Sequence, residues 1–568
     1  MNIHKTFKII FISLFIILFL GAVGVFFLLR LYNINLDQGE HVLKMGLNLD
    51  FVTIEEIDEY YENNIGKIDV ISYDLDIKID KDNESISASA KIKFIPIYAV
   101  NGFISLDFSS DFKNIIVSSD NKNLNFKKLS DQINIQLPEN KKDTIIFEIS
   151  YEGEPENKGL GSFMFTDDDV KDEKRILTLN EPIFASSWFP CNDYPDDKAM
   201  LTISITNDSS NTTISNGILV STKIVDDQKT YTWKTVYPIS TYLIGFYSAP
   251  YSVFKDSIKL NSGESVPIEY YILNSEKQKS IYDLEVSKQA LEFFDKTFGT
   301  YPFAKEKYAI AEFDWQFGAI ENQTAVGIGS QLISGNRFFS DVIVHEAAHH
   351  WWGNAVGPKS WEDIWLNEGF SSYSEALYWE YKSGRSSLIS TLFAKKYDFN
   401  DTQLYDPRGM LFSSTIYNKG AWVLHMLRFE IGEKNFFELM REYFEKYKYS
   451  NASTEDFKNL LEEKTKKDFS KFFDQWIYKG TGFIYADYNF TINNGRITVN
   501  IDQFQDGYEV YNFPLEIEYV GKNESLLKRY FISSKDTAIN FNPIFEIVDV
   551  KLDPNNWLLA NFIKEDSK

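Results

Sequence analysis

His345-Glu346-Ala347-Ala348-His349 sets two imidazoles four residues apart with a carboxylate between them. On a helix, residues i and i+4 share one face, one turn apart. Two rings so placed can reach one zinc ion at the roughly 2.0–2.1 Å that Zn–N bonds require. Glu346 then stands beside the ion, where it can take a proton from water. The pentapeptide alone occurs in unrelated chains, but two further features give it weight. The chain has six histidines, and three of them fall within residues 345–350. Glu368 follows His349 after eighteen residues, inside Trp365-Leu366-Asn367-Glu368-Gly369. That interval allows a turn and a return helix, so Glu368 can complete a His₂Glu set. Such a set leaves a fourth position open, as hydrolytic zinc sites do and structural ones do not. Glu375 lies seven residues beyond Glu368, on the same helix face. It can orient a ligand histidine from behind; a solvated surface charge is the alternative.

These groups need rigid elements to hold them. Asp341-Val342-Ile343-Val344 and Trp351-Trp352 flank the motif as a buried helix would, over 340–352. In Ser280–Phe298 the residues Ile281, Leu284, Val286, Ala290, Leu291 and Phe294 recur at threes and fours, which predicts another helix. Similar patterns cover 364–383, 417–431, 434–448, 454–465 and 468–478. Together they make a mainly helical domain at 257–482. Before it, 66–256 reads as a mostly antiparallel β domain. Ile68–Ile79 alternates in part, Ile86–Phe94 cleanly, and Thr202–Thr206 repeats the theme. After Gly480-Thr481-Gly482 the strands return, at Ile497–Ile501 and Pro514–Val520, as a small β module at 483–568. The fold class expected is multidomain α+β.

A chain of 568 residues exceeds one core, in keeping with several domains. The formal net charge of -24 argues against nucleic acid as a partner, because phosphate binding needs clustered Lys and Arg. Cys191 is the sole cysteine, so neither an internal disulfide nor a cysteine zinc site can form. This suits a bacterial envelope protein better than an animal ectodomain. Ile9–Leu29 is an uncharged apolar run of 21 residues, long enough to span about 30 Å of hydrocarbon. His4, Lys5 and Lys8 precede it, which keeps the N-terminus cytoplasmic and puts the rest outside, although Arg30 weakens the asymmetry. Residues 1–30 are therefore expected to be a stub and transmembrane helix, and 31–65 an acidic tether. A cleaved signal peptide is the alternative.

The motifs together resemble the gluzincin aminopeptidases of the aminopeptidase N and leukotriene hydrolase family. The Trp-Leu-Asn-Glu-Gly-Phe string around Glu368 is one point of likeness. Gly318-Ala319-Ile320-Glu321-Asn322 is similar to the family's Gly-Ala-Met-Glu-Asn string, and Tyr417-Asn418-Lys419-Gly420-Ala421 to its Tyr-x-Lys-Gly-Ala. Glu181-Pro182, Trp188–Asp193, Asp197-Lys198-Ala199 and Phe473-Asp474-Gln475-Trp476 also have counterparts. The likeness runs from about residue 66 to 480.

This resemblance implies a thermolysin-like catalytic domain, one zinc ion per chain, and peptide substrates with a free N-terminus. It implies that Glu346 acts as general base and that Tyr417 donates a hydrogen bond to the tetrahedral oxyanion. Glu321 and Glu181 would bind the substrate's α-ammonium, with Gly318 and Ala319 beside the bound peptide. Departures are Ile320 for the usual Met, Gln323-Thr324 for the usual Trp-Gly, and Leu179 for a common Gln. The helical-repeat C-terminal domain of many relatives has no counterpart, so a more open site is expected. Two other functions compete: a zinc hydrolase of another small substrate, such as an epoxide, and a non-catalytic envelope binding protein on the same fold.

Overall fold

The computed structural model describes residues 53–565 apart from 63, 139–142, 159–160, 169–172, 274–276, 316–317 and 494. The apolar run 9–29 and residues 31–52 of the expected tether lie outside the described residues. Among the described residues, no helix is long and apolar enough to cross a membrane.

The end of the expected tether is not a linker. It forms a helix, α1 (Ile54–Glu62), with Ile54 and Ile57 buried. The Tyr61 hydroxyl donates to the Asp193 carbonyl at 2.7 Å, and its ring stacks on Tyr194. The apolar residues 54, 57 and 61 fall at the helical spacing, and Glu55, Glu56, Asp58 and Glu59 occupy the other faces.

An eight-stranded sheet follows, ordered 218–225, 228–234, 200–208, 67–80, 85–98, 145–153, 113–119 and 122–123. It is antiparallel except where 67–80 runs parallel to 200–208. Alternation fixes the register: Leu75, Ile77, Ile203 and Ile205 are buried, and Ile77 faces Ala88 across the ladder. A four-stranded sheet, 212–215, 246–249, 173–178 and 163–168, leads to the loop that carries Glu181.

The next unit opens on a five-stranded sheet ordered 252–259, 265–272, 308–313, 326–329 and 319–320. Its first strand begins at Ser252, so the change of architecture precedes residue 257. The edge strand Ala319–Ile320 packs against a helix and places Glu321 at the sheet's rim. The helices are α2 (Lys277–Thr297), α3 (Ser340–Ala348), α4 (Trp365–Ser383), α5 (Arg385–Ala394), α6 (Ser414–Ile431), α7 (Glu433–Tyr447) and α8 (Thr454–Thr465). α3 stops at Ala348, short of the two tryptophans, and α5 has no counterpart among the periodic segments. The pattern at 468–478 splits into one α turn, Ser470–Phe473, and a π turn, Asp474–Tyr478.

Residues 484–564 pack a four-stranded sheet with a three-stranded one. This module grips α6. His425 stacks on Trp557, and Arg529 donates to the Phe429 carbonyl at 3.1 Å; just before the module, the Gly480 carbonyl accepts from Lys419 Nζ at 2.6 Å.

Candidate metal centre

α3 carries His345 and Glu346, and His349 caps its end. Ile343, Val344, Ala347 and Ala348 bury the rest of the helix, so it cannot rotate. The chain then turns through Gly353, whose φ of 113° is in the left-handed region, and returns by way of Trp361–Asp363 into α4. α4 is buried from Trp365 to Tyr378, which points Glu368 inward.

Three donor atoms converge. His345 Nε2 lies 2.9 Å from His349 Nε2 and 3.2 Å from Glu368 Oε2, and His349 Nε2 lies 3.4 Å from that oxygen. Ligands about 2.0–2.1 Å from a tetrahedral ion stand roughly 3.3 Å apart, so the triangle matches one zinc. The other ring nitrogens are engaged. His345 Nδ1 donates to Glu375 Oε1 at 2.7 Å and His349 Nδ1 to the Trp352 carbonyl at 3.0 Å. In the neutral rings both Nε2 lone pairs face the centre, where a bound cation would take the place of the protons that Glu368 otherwise holds there.

The electrostatics agree. Glu346 Oε2, Glu321 Oε1 and Glu181 Oε1 are buried with no hydrogen-bond partner. Burial works against charge on His349, yet Glu321 and Glu368 hold its imidazole well above the usual range. Burial would also raise the Glu368 carboxyl, but the His349 and His345 rings outweigh it and hold it at about 2. Burial, with Glu321 adding to it against the pull of His345, pushes Glu346 up to about 8. Carboxylates outnumber cations at this centre, which is the field a divalent ion requires.

Glu181, Glu321, Glu346 and Tyr417 lie near this point. Glu181, Glu321 and Glu368 bring carboxylate oxygens within 4.8 Å of one another, as do Glu321 and Glu346 with a His349 nitrogen. Tyr417, half-buried on α6, stacks against the His345 ring at 5.8 Å between centroids. Gly318 adopts φ 146° just before the edge strand, where a side chain would strain the backbone; Ala319 follows it, half-buried. α4 and α6 touch where a Cβ on Gly420 would stand 2.7 Å from the Gly369 Cα. Glu368 and Tyr417 owe their mutual distance to that crossing.

Sequence reasoning gave no role to the residues that hold these groups through backbone. Asn354 Nδ2 donates to the Glu321 carbonyl at 2.8 Å, and Lys198 Nζ donates to the Asn354 carbonyl. His350 ties two segments of the candidate site together: its Nε2 accepts from Thr324 N at 3.2 Å and its Nδ1 donates to the Glu346 carbonyl at 3.3 Å. No spacing rule marks such contacts. Thr324 itself has φ 62°, which explains why glycine suits that position in the resembling string.

The model of the Peptidase family M1 domain matches residues 282–476, and that of the Peptidase M1 N-terminal domain matches 70–243. The chain belongs to the M1 peptidase family. Among M1 relatives, aminopeptidase N of Lactococcus lactis is 27% identical over 80% of this chain and 56% of its own length. Human glutamyl aminopeptidase is 30% identical over 53% of this chain and 34% of its own. The chain thus spans about half the length of such relatives, or less. The crystal structure of Legionella pneumophila aminopeptidase A in complex with aspartic acid shares the fold, with a TM-score of 0.78 over 88% of this chain and 60% of that one, at 19% identity.

Proposed function

We propose that this M1 protein is a zinc-dependent aminopeptidase that removes N-terminal residues from peptides. The observation that carries the proposal is the convergence of His345 Nε2, His349 Nε2 and Glu368 Oε2 beside two further buried carboxylates, Glu321 and Glu181. His345, His349 and Glu368 would hold the zinc, which when bound would supply Lewis acidity for the scissile carbonyl and for water. Glu346 takes the proton of the attacking water and passes it to the leaving amine. Tyr417 donates its hydroxyl proton as a hydrogen bond to the oxyanion that develops on the carbonyl. Burial, reinforced by Glu368, holds that hydroxyl well above the usual range, so it remains a donor. Glu321 and Glu181 pair with the α-ammonium and so fix the first residue of the peptide against the reacting groups. An endopeptidase has no use for carboxylates that hold an α-ammonium.

The test is cleavage of a chromogenic amide of an amino acid, free and N-acetylated. Acetylation leaves two desolvated carboxylates without a partner, a cost of about 1–3 kcal/mol or more, so kcat/KM should fall at least about fivefold. Glu321→Ala should lose much of the activity on the free substrate and little of what remains on the acetylated one. Equal cleavage of both substrates, or internal cuts in longer peptides, contradicts the aminopeptidase reading.

The same proposal places the domain outside the cell membrane, tethered by the apolar run Ile9–Leu29. The chain should sediment with membranes and be open to protease added from outside. A soluble mature chain beginning near residues 25–30 identifies a cleaved signal instead.

A further inference from the structure

Lys395 sits behind the metal centre, on an element that carries no ligand. It caps the C-terminal end of α5. Its Nζ lies 2.9 Å from Glu375 Oε2, while Glu375 Oε1 accepts the His345 Nδ1 proton at 2.7 Å. Asp341, from the first turn of α3, faces the same lysine and is itself held by the Trp379 indole. One carboxylate thus meets a ligand ring through a hydrogen bond at one oxygen and an ammonium through an ion pair at the other.

Two physical consequences follow. The last torsion of a glutamate is broad, so a carboxylate held at one oxygen can swing. With the ammonium beside the second oxygen, a swing of the carboxylate would break the ion pair, so one plane is favoured for it and for the His345 ring that it holds. That ring must aim Nε2 at the point shared with His349 and Glu368. Charge acts in the same direction. Glu181, Glu321, Glu346, Glu368 and Glu375 are all buried, and Lys395 is the side-chain cation in ion-pair contact with the last of them. Without it, Glu375 would have to be kept in place by the imidazole alone.

We infer that Lys395 is a positioning residue for the metal site, acting through Glu375 to fix the His345 ring and strengthen zinc binding. The inference rests on the zinc reading of the site. It differs from a general stabilising role because its effect must pass through Glu375.

Zinc affinity of the purified full chain, measured by competition with a chelating indicator, tests it. Partners behind a ligand histidine change metal affinity by about 10–100-fold. Lys395→Met should weaken zinc binding about tenfold, at the lower end of that range, and Lys395→Arg should recover most of the loss. Should Lys395→Met fail to fold, Lys395→Gln carries the same expectation. In a Glu375→Gln background, adding Lys395→Met should cost less than about threefold more, because its partner is already gone. Lys396→Met is the control. Lys396 bonds the Ala560 carbonyl and Asn561 in the C-terminal module, so its loss should leave zinc affinity within about twofold. Wild-type affinity in Lys395→Met, or an undiminished loss in the Glu375→Gln background, overturns the inference while the zinc reading stands. Failure of the wild-type chain to bind zinc overturns both.

Discussion

Replacing Gly420 with alanine puts a methyl group into the crossing of α4 and α6. The new Cβ would stand 2.7 Å from the Gly369 Cα, whereas carbon atoms in contact prefer about 3.5–4.0 Å. The obstacle is backbone on both sides, so no rotamer change relieves it, and the helices must part by about 1 Å. Alanine favours a helix interior over glycine by about 0.5–1 kcal/mol, which alone would stabilise the protein. Overpacking costs typically about 1–3 kcal/mol and should win. The chemistry should suffer more than the stability. Glu368 adjoins Gly369, and Tyr417 lies one turn before Gly420, so a misplacement of about 1 Å separates the oxyanion donor from the metal ligands. Such a displacement can cost about a hundredfold in rate. Thermal unfolding and steady-state kinetics on a chromogenic amide measure both effects. The expected result is a lower Tm and kcat reduced by roughly two orders of magnitude. A raised Tm with unchanged kcat would refute the reasoning, because helix propensity would then outweigh the contact.

Glu346→Gln should retain zinc yet lose about 10²–10⁴-fold in kcat, since an amide cannot accept the proton; near-normal turnover would exclude Glu346 as base. The Asp197 carboxyl, raised by burial to about 7 against the pull of Asn192 and Val70 N, should make stability depend on pH. Its folded value exceeds its unfolded one, so its contribution is full below about pH 4 and fades as pH rises through about 7. Asp197→Asn cannot show that loss, so the variant's Tm relative to wild type should improve from pH 5 to pH 8; a constant difference would contradict the assignment. Ile57→Asp places a charge in the core under α1 and should lower Tm, because burying an unpaired carboxylate is costly; an unchanged Tm would mean that α1 contributes nothing to the fold.

Much of the candidate site was legible because helical spacing is rigid. The four-residue step from His345 to His349 fixes two ligands on one face, and the seven-residue step from Glu368 to Glu375 places the second carboxylate behind His345. Tyr417, Glu321 and Glu181 are different. They reach the centre from a separate helix, a sheet edge and another sheet's loop, and nothing in their own neighbourhoods distinguishes them. Only the resemblance to known strings selected them. Lys198, Asn354 and His350 act through backbone groups that a sequence does not display. α1 escaped notice because five acidic residues dilute its apolar face, and α5 because a short helix buries little beyond Leu388 and Leu392. The long alternating strands were readable for the converse reason: in 67–80 and 85–98 one face is buried almost throughout, which imposes the period of two.

Metal content of the purified chain tests the central claim most directly. Elemental analysis after dialysis should find about one zinc per chain in the wild type and almost none in a His345→Ala, His349→Ala double variant, with activity of the wild type lost to a strong chelator and restored by zinc. Stoichiometric zinc in the double variant would contradict the assignment of the site.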